Sequence, residues 1–136
     1  MSVPEPVDEL PINTGDDVVR VRQAVRARAS AARLSLVDQT KLITAASELA
    51  RNTLVHGGSG VARVETVQRD GRPGVKAVFT DDGPGIVDVE KALTDGYTTG
   101  SGLGLGLGGS RRLVDEFVLE TAVGRGTTVT VVKWMR

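Results

Sequence analysis

The chain has 136 residues, 40% hydrophobic and 25% charged, and Lys+Arg 17 against Asp+Glu 17 leave no net charge at neutral pH. That length suits one domain with a buried core, while the charge balance and the presence of only four aromatic residues remove the electrostatic drive and the stacking platform that nucleic-acid binding needs. With no cysteine, disulfides and thiolate metal sites are excluded, and the single histidine cannot build a zinc site alone.

The opening "MSVPEPVDEL" is acidic and proline-bearing, without the basic start or apolar run of a secretory signal. With no stretch suited to span a bilayer either, the sequence predicts a cytoplasmic protein with neither membrane nor nucleic acid as partner. Residues 1–9 are expected to form a flexible N-terminus and residues 10–136 one domain.

A short strand is expected near Leu10 to Asn13. Thr14 or Asp16 then caps a helix whose Val18, Val21, Val25 and Ala29 recur at helical spacing. A second helix is predicted from about Val37 to Val55, burying Leu42, Ile43, Ala46, Leu49, Ala50 and Thr53 and stopped by Gly57-Gly58. There the period changes to two. "GVARVETVQ" and "GVKAVFT" flank "RDGRPG", which holds the turn pairs Asp70-Gly71 and Pro73-Gly74 of a β-hairpin.

"DDGPGI" ends that strand, "VDVEKALTDG" supplies a short helix, and a glycine stretch follows from Thr98 to Ser110. "GGSRRLVDEF" reads as the start of another helix. A closing hairpin has Phe117, Leu119, Thr121 and Val123 alternating before "VGRGTT", and Val129 and Val131 after it. This order predicts an α+β fold, a two-layer α/β sandwich with helices on one face of a mostly antiparallel or mixed sheet.

Three segments carry candidate chemistry. In "SELARN", Glu48 and Asn52 lie four residues apart and so share one helix face, away from the apolar stripe. A carboxylate and an amide oxygen so placed can hold Mg²⁺ or orient a hydroxyl; a solvated polar face is the competing reading. In "TDDGPGI", Asp81 stands where alternation stops, and Gly83 and Gly85 leave room for a ligand beside the backbone; a plain turn competes. In "TTGSGLGLGLGGS", bare amides can converge on phosphate oxygens, and the regular leucines argue against a linker. Gly104, Gly106 and Gly109 match G-x-G-x-x-G, but no apolar strand precedes them, and no lysine follows as in a Walker loop.

Taken in order, "SELARN", "DDGPGI", "DGYTTGSGLGLGL", "RRLVDEF" and "GTTVTVVKW" resemble the GHKL (Bergerat-fold) ATP-binding family. That family holds histidine kinase catalytic domains, the gyrase and Hsp90 ATPases and small bacterial anti-sigma serine kinases. Within it, the likeness is to the stand-alone switch serine/threonine kinases of the stressosome, over nearly the whole chain from about Leu10. The resemblance implies the Bergerat fold, with ATP and Mg²⁺ as cofactors. It also implies Asn52 as Mg²⁺ ligand, Glu48 as general base, Asp81 as acceptor of the adenine amino group, Gly83, Gly85 and Thr128 around that pocket, and Gly102, Gly104 and Gly106 in a phosphate-side lid pinned by Leu103, Leu105 and Leu107.

The partners it implies are STAS-domain proteins, as stressosome scaffold or antagonist, and a PPM-type phosphatase activated by the freed kinase. Tyr97 is a candidate interface anchor for such a partner. An anti-sigma factor kinase that holds a sigma factor, and a non-catalytic ATP-switched binding module, are the alternatives. A histidine kinase is disfavoured because no substrate helix with its histidine is present, and His56 reads as an ordinary helix-end residue.

Overall fold

Among the residues that the computed structural model describes, 6–94 and 106–136, the chain runs β1 (Asp8–Ile12), α1 (Gly15–Ala31), α2 (Leu36–Val55), β2 (Gly60–Arg69), β3 (Arg72–Asp81), α3 (Val89–Ala92), α4 (Gly106–Arg112), β4 (Glu116–Ala122) and β5 (Gly126–Trp134). Both long helices begin where their caps dictate. Thr14 accepts the Asp17 N–H at 3.3 Å, and the Asp17 carboxylate accepts the N–H groups of Thr14 at 3.1 Å and Asn13 at 2.8 Å, a reciprocal box that ties off the start of α1. Ser35 caps α2 by accepting the Asp38 N–H at 3.1 Å.

The Asn13 amide, and with it Thr14 and the Arg20 guanidinium, holds the Asp17 carboxyl below its ordinary value. A carboxyl whose pKa falls on folding contributes stability that is present above its unfolded value and lost as pH drops through the folded one. Asp17→Ala is therefore expected to lower the thermal midpoint at pH 7, with the gap to wild type closing as the pH is taken below about 4, near the unshifted carboxyl value. A gap that persists at pH 2 would mean the loss is of packing, not of the ionised cap.

The five strands lie in the order β1-β2-β3-β5-β4. All four pairings among the described residues are antiparallel, so there the sheet is not mixed. Asp70 and Gly71, with φ of 53° and 77°, close the β2–β3 hairpin as the two-residue turn their sequence suits. Pro73-Gly74, the other turn pair, lies inside β3, where the Pro73 carbonyl accepts the Met135 N–H at 2.9 Å.

Alternation sends one row of each strand toward the helices. Ala62 and Val64 of β2, Val75, Ala77 and Phe79 of β3, and Val129 and Val131 of β5 are buried against Val21, Val25 and Ala29 of α1 and Leu42, Ala46, Leu49 and Ala50 of α2. On the opposite face, Arg69 stacks 4.6 Å above the Trp134 ring, and the Trp134 indole N–H donates to Glu116 at 2.6 Å.

Two expectations along the second half need correction. The helix expected from "GGSRRLVDEF" starts earlier, at Gly106, and stops at Arg112. Asp115 is drawn into the sheet instead, its N–H donating to the Val132 carbonyl at 3.0 Å and its carboxylate accepting the Trp134 N–H at 2.7 Å, so pairing with β5 overrides local helix preference. Val123, expected as the last alternating residue before the turn, lies beyond β4 and is 67% exposed.

Candidate functional site

A cavity of about 520 Å³ opens between α2, the end of β3, the segment after it, α3 and the start of α4. That is the size of a site for a nucleotide-sized ligand. Leu49, Phe79, Ile86, Leu107 and Val129 give it an apolar floor, and Glu48, Asn52, Asp81 and Asp88 bring oxygen atoms to its wall. Arg51, His56 and Lys91 also line it, so a cation is on hand for an anionic ligand.

The way each acidic or amide group arrives follows from its element. Leu42, Ala45, Ala46, Leu49, Ala50 and Thr53 of α2 are buried against the sheet, which turns the Glu48–Asn52 face of the same helix into the cavity. Asp81 continues the inward row of Val75, Ala77 and Phe79, so strand alternation delivers its carboxylate under the C-terminal end of α2. Its Oδ1 accepts the Gly83 N–H at 2.8 Å, which fixes the carboxylate and leaves the second oxygen for another donor.

The segment after Asp81 is held by a hydroxyl relay. Thr121 Oγ1 accepts the Ile86 N–H at 3.0 Å, donates to the Gly126 carbonyl at 3.0 Å and lies 2.9 Å from the Thr127 hydroxyl. The Pro84 carbonyl accepts the Gly124 N–H at 2.8 Å, and Gly85, with φ of 78°, comes so near β4 that a Cβ would lie 2.3 Å from the Ala122 carbonyl oxygen. Loop, β4 and β5 thus form one wall.

Of the residues singled out from the sequence, Glu48, Asn52, Asp81, Gly85 and Gly106 line this cavity together, and Leu107 is buried in its floor. Gly83 sits behind the Asp81 carboxylate and is not part of the lining. Thr128 does not reach the cavity either: it pairs with Thr80 on the outer face of the sheet, while Thr127, the partner of Asp81, lines the wall. The alternation of Val129 and Val131 carried that signal, since counting back by two reaches Thr127. Gly102 and Gly104, with Leu103, Leu105 and Tyr97, lie outside the described residues.

No group of three or more His, Asp or Glu side chains able to cage a metal occurs among the described residues. An amide oxygen with a carboxylate one turn away, in a cavity sized for a nucleotide, fits a Mg²⁺ ion held chiefly by ligand phosphates and water.

A five-stranded sheet under two long helices, with this cavity at the end of its central strand, defines an ATP-binding domain of the Bergerat type. The chain belongs to the histidine kinase-, DNA gyrase B- and HSP90-like ATPase family, whose profile matches residues 37–135. It is 43% identical over 125 residues to the serine/threonine-protein kinase RsbT of Bacillus subtilis, covering 92% of this chain and 94% of that one. It is 32% identical over 103 residues to the anti-sigma F factor of Geobacillus stearothermophilus, covering 71% of this chain and 69% of the relative.

Two solved structures share the fold. Against the RsbU and RsbW domains of a Mycobacterium tuberculosis protein, the TM-score is 0.65 at 22% identity, over 96% of this chain but only 32% of that longer one. Against the mycobacterial sensor histidine kinase MprB, it is 0.53 at 22% identity, over 95% and 99% of the two chains. Among the described residues, no helix is long and apolar enough to cross a membrane.

Proposed function

We propose that the protein is a cytoplasmic serine/threonine kinase that phosphorylates STAS-domain scaffold or antagonist proteins and, when released from them, activates a PPM-type phosphatase. What carries the reading is the convergence of Glu48, Asn52 and Asp81 on one cavity, in a chain 43% identical to a serine/threonine-protein kinase over nearly its whole length.

In this reading, Asp81 accepts a hydrogen bond from the exocyclic amine of adenine, with Gly85 and Thr127 on the adjoining wall and Gly83 holding the carboxylate from behind. Asn52 would hold Mg²⁺, which when bound would neutralise charge on the triphosphate. Gly102, Gly104 and Gly106 offer backbone amides to the phosphates. Glu48 accepts the proton of a serine or threonine hydroxyl as its oxygen bonds to the γ-phosphorus; the bond from that phosphorus to the β–γ bridging oxygen breaks, and ADP leaves with the electron pair.

Transfer of labelled γ-phosphate from ATP to a purified STAS-domain protein tests the reading, and absence of transfer to any candidate acceptor would leave an ATP-switched binding module. The 32% identity to an anti-sigma F factor favours one rival, a kinase that holds a sigma factor. Co-purification with a sigma factor in an ATP-dependent manner would select it.

The base pocket makes its own prediction. Asp81→Asn is expected to weaken ATP binding about 10- to 100-fold, because a hydrogen bond to a charged group contributes about 1.5–3 kcal/mol. Calorimetry on the folded variant reads this directly, and an unchanged affinity would remove Asp81 from the site.

A further inference from the structure

The pair Gly57-Gly58 reads from the sequence as the stop of α2, and α2 does end beside it: the Asn52 carbonyl accepts the N–H of both His56, at 2.9 Å, and Gly57, at 3.2 Å. Stopping the helix does not require a glycine at this position. The left-handed backbone that favours glycine falls on Gly58, whose φ is 84°, and Gly57 is absent from the positive-φ residues. What Gly57 lacks room for is a side chain. A Cβ there would lie 2.4 Å from Cγ and 2.5 Å from Cβ of Asp81, and 2.6 Å from the Thr53 carbonyl oxygen. Gly83 meets the same contact from the far side, since its Cβ would lie 2.7 Å from the Gly57 Cα and 3.0 Å from Asp81 Oδ1. Gly126, at the start of β5, presses on the Asp81 backbone, a Cβ there falling 2.0 Å from the Asp81 carbonyl oxygen.

We infer that Gly57 is a positioning residue for base recognition: its bare backbone lets the Asp81 carboxylate seat against the end of α2, at the depth from which it reads the 6-amino group of adenine. The inference rests on Asp81 being the adenine acceptor. It adds that the helix carrying Glu48 and Asn52 also sets the place of the base-reading group. Glu48 lies seven positions before Val55, the last residue of α2, roughly 10 Å of helix at 1.5 Å per residue, and Gly57 follows two positions on, so α2 sets the spacing between Glu48 and the adenine-side carboxylate.

The experiment measures affinity for ATP and for purine riboside triphosphate, which lacks only the 6-amino group, on wild type, Gly57→Ala and Gly58→Ala. Wild type is expected to prefer ATP about 10- to 100-fold, the range of one charge-assisted hydrogen bond. In Gly57→Ala that preference should fall below about threefold, because the added methyl displaces the carboxylate. Gly58→Ala, whose new Cβ meets nothing within 4 Å, should lose thermal stability through backbone strain and keep the preference. Strain at the Thr53 carbonyl alone would make Gly57→Ala behave like Gly58→Ala. Should Gly57→Ala not fold, Gly83→Ala intrudes on the same carboxylate and is expected to lose the preference in its place. Discrimination retained in the folded Gly57→Ala protein, or in Gly83→Ala where that substitutes for it, overturns the inference alone, and a wild type that binds both nucleotides equally overturns the adenine reading and the inference with it.

Discussion

Glu48→Gln is expected to slow phosphoryl transfer on the order of 10²–10⁴-fold, the usual contribution of a positioned general base, while leaving nucleotide affinity near that of wild type. The substitution keeps the size of the side chain and its place on α2, one turn before Asn52, so it removes the proposed proton acceptor without opening the cavity. Glutamine cannot take the hydroxyl proton as the bond to phosphorus forms. The two readouts separate the roles on one helix face: Asn52→Ala should weaken Mg²⁺-dependent nucleotide binding, whereas Glu48→Gln should act on the transfer step. Single-turnover kinetics with a phosphate-accepting partner, alongside calorimetry with a non-hydrolysable analogue, supply the comparison. A Glu48→Gln protein that phosphorylates its partner at the normal rate would assign the base elsewhere, with Asp88 of the same cavity the next carboxylate to test.

The pattern of what the sequence conveyed follows from which interactions are local. The α2 stripe and the Glu48–Asn52 face are set by 3.6-residue periodicity within one helix, so their direction into the cavity could be read before any tertiary contact was known. Asp81 was legible for a similar reason, as the next inward position after Val75, Ala77 and Phe79 at the place where alternation ends. The resemblance pointed to Thr128, whereas Thr127 is the neighbour that lines the cavity, because a shift of one residue on a strand exchanges its two faces. Gly57 could not be distinguished from Gly58 by sequence, because one is bare for space and the other for conformation, and only the approach of Asp81 from 24 positions further along the chain tells them apart. The end of α4 was missed because its stop is made by pairing of Asp115 with β5, a contact with no local signature.

At Lys133 alternation and residue type disagree, and alternation wins. Counting from Val129 and Val131, position 133 faces the helices, yet a lysine in a strand ordinarily faces water. The structure buries it, with a side chain 5% exposed whose ammonium lies 3.6 Å from Asp38 Oδ1, in the first turn of α2, and 3.8 Å from Asp115 Oδ1, just before β4. Arg136 also pairs with both carboxylates, but from a side chain 63% exposed, where solvent screens it. Lys133 therefore carries the buried share of the balance and fastens the start of α2 to the closing hairpin. Lys133→Met keeps most of the aliphatic stem and removes the charge, leaving two carboxylates facing one another with only the exposed arginine between them. Breaking a buried pair by removing one partner typically costs about 3–5 kcal/mol, so denaturant unfolding should show a loss of that size. Adding Asp38→Asn should then recover part of it, since the stranded negative charge is the origin of the cost, and the double variant should be less destabilised than the sum of the singles. A Lys133→Met protein within about 1 kcal/mol of wild type would mean that Arg136 alone neutralises the two acids, and that α2 is seated by its apolar stripe without an electrostatic fastening at its first turn.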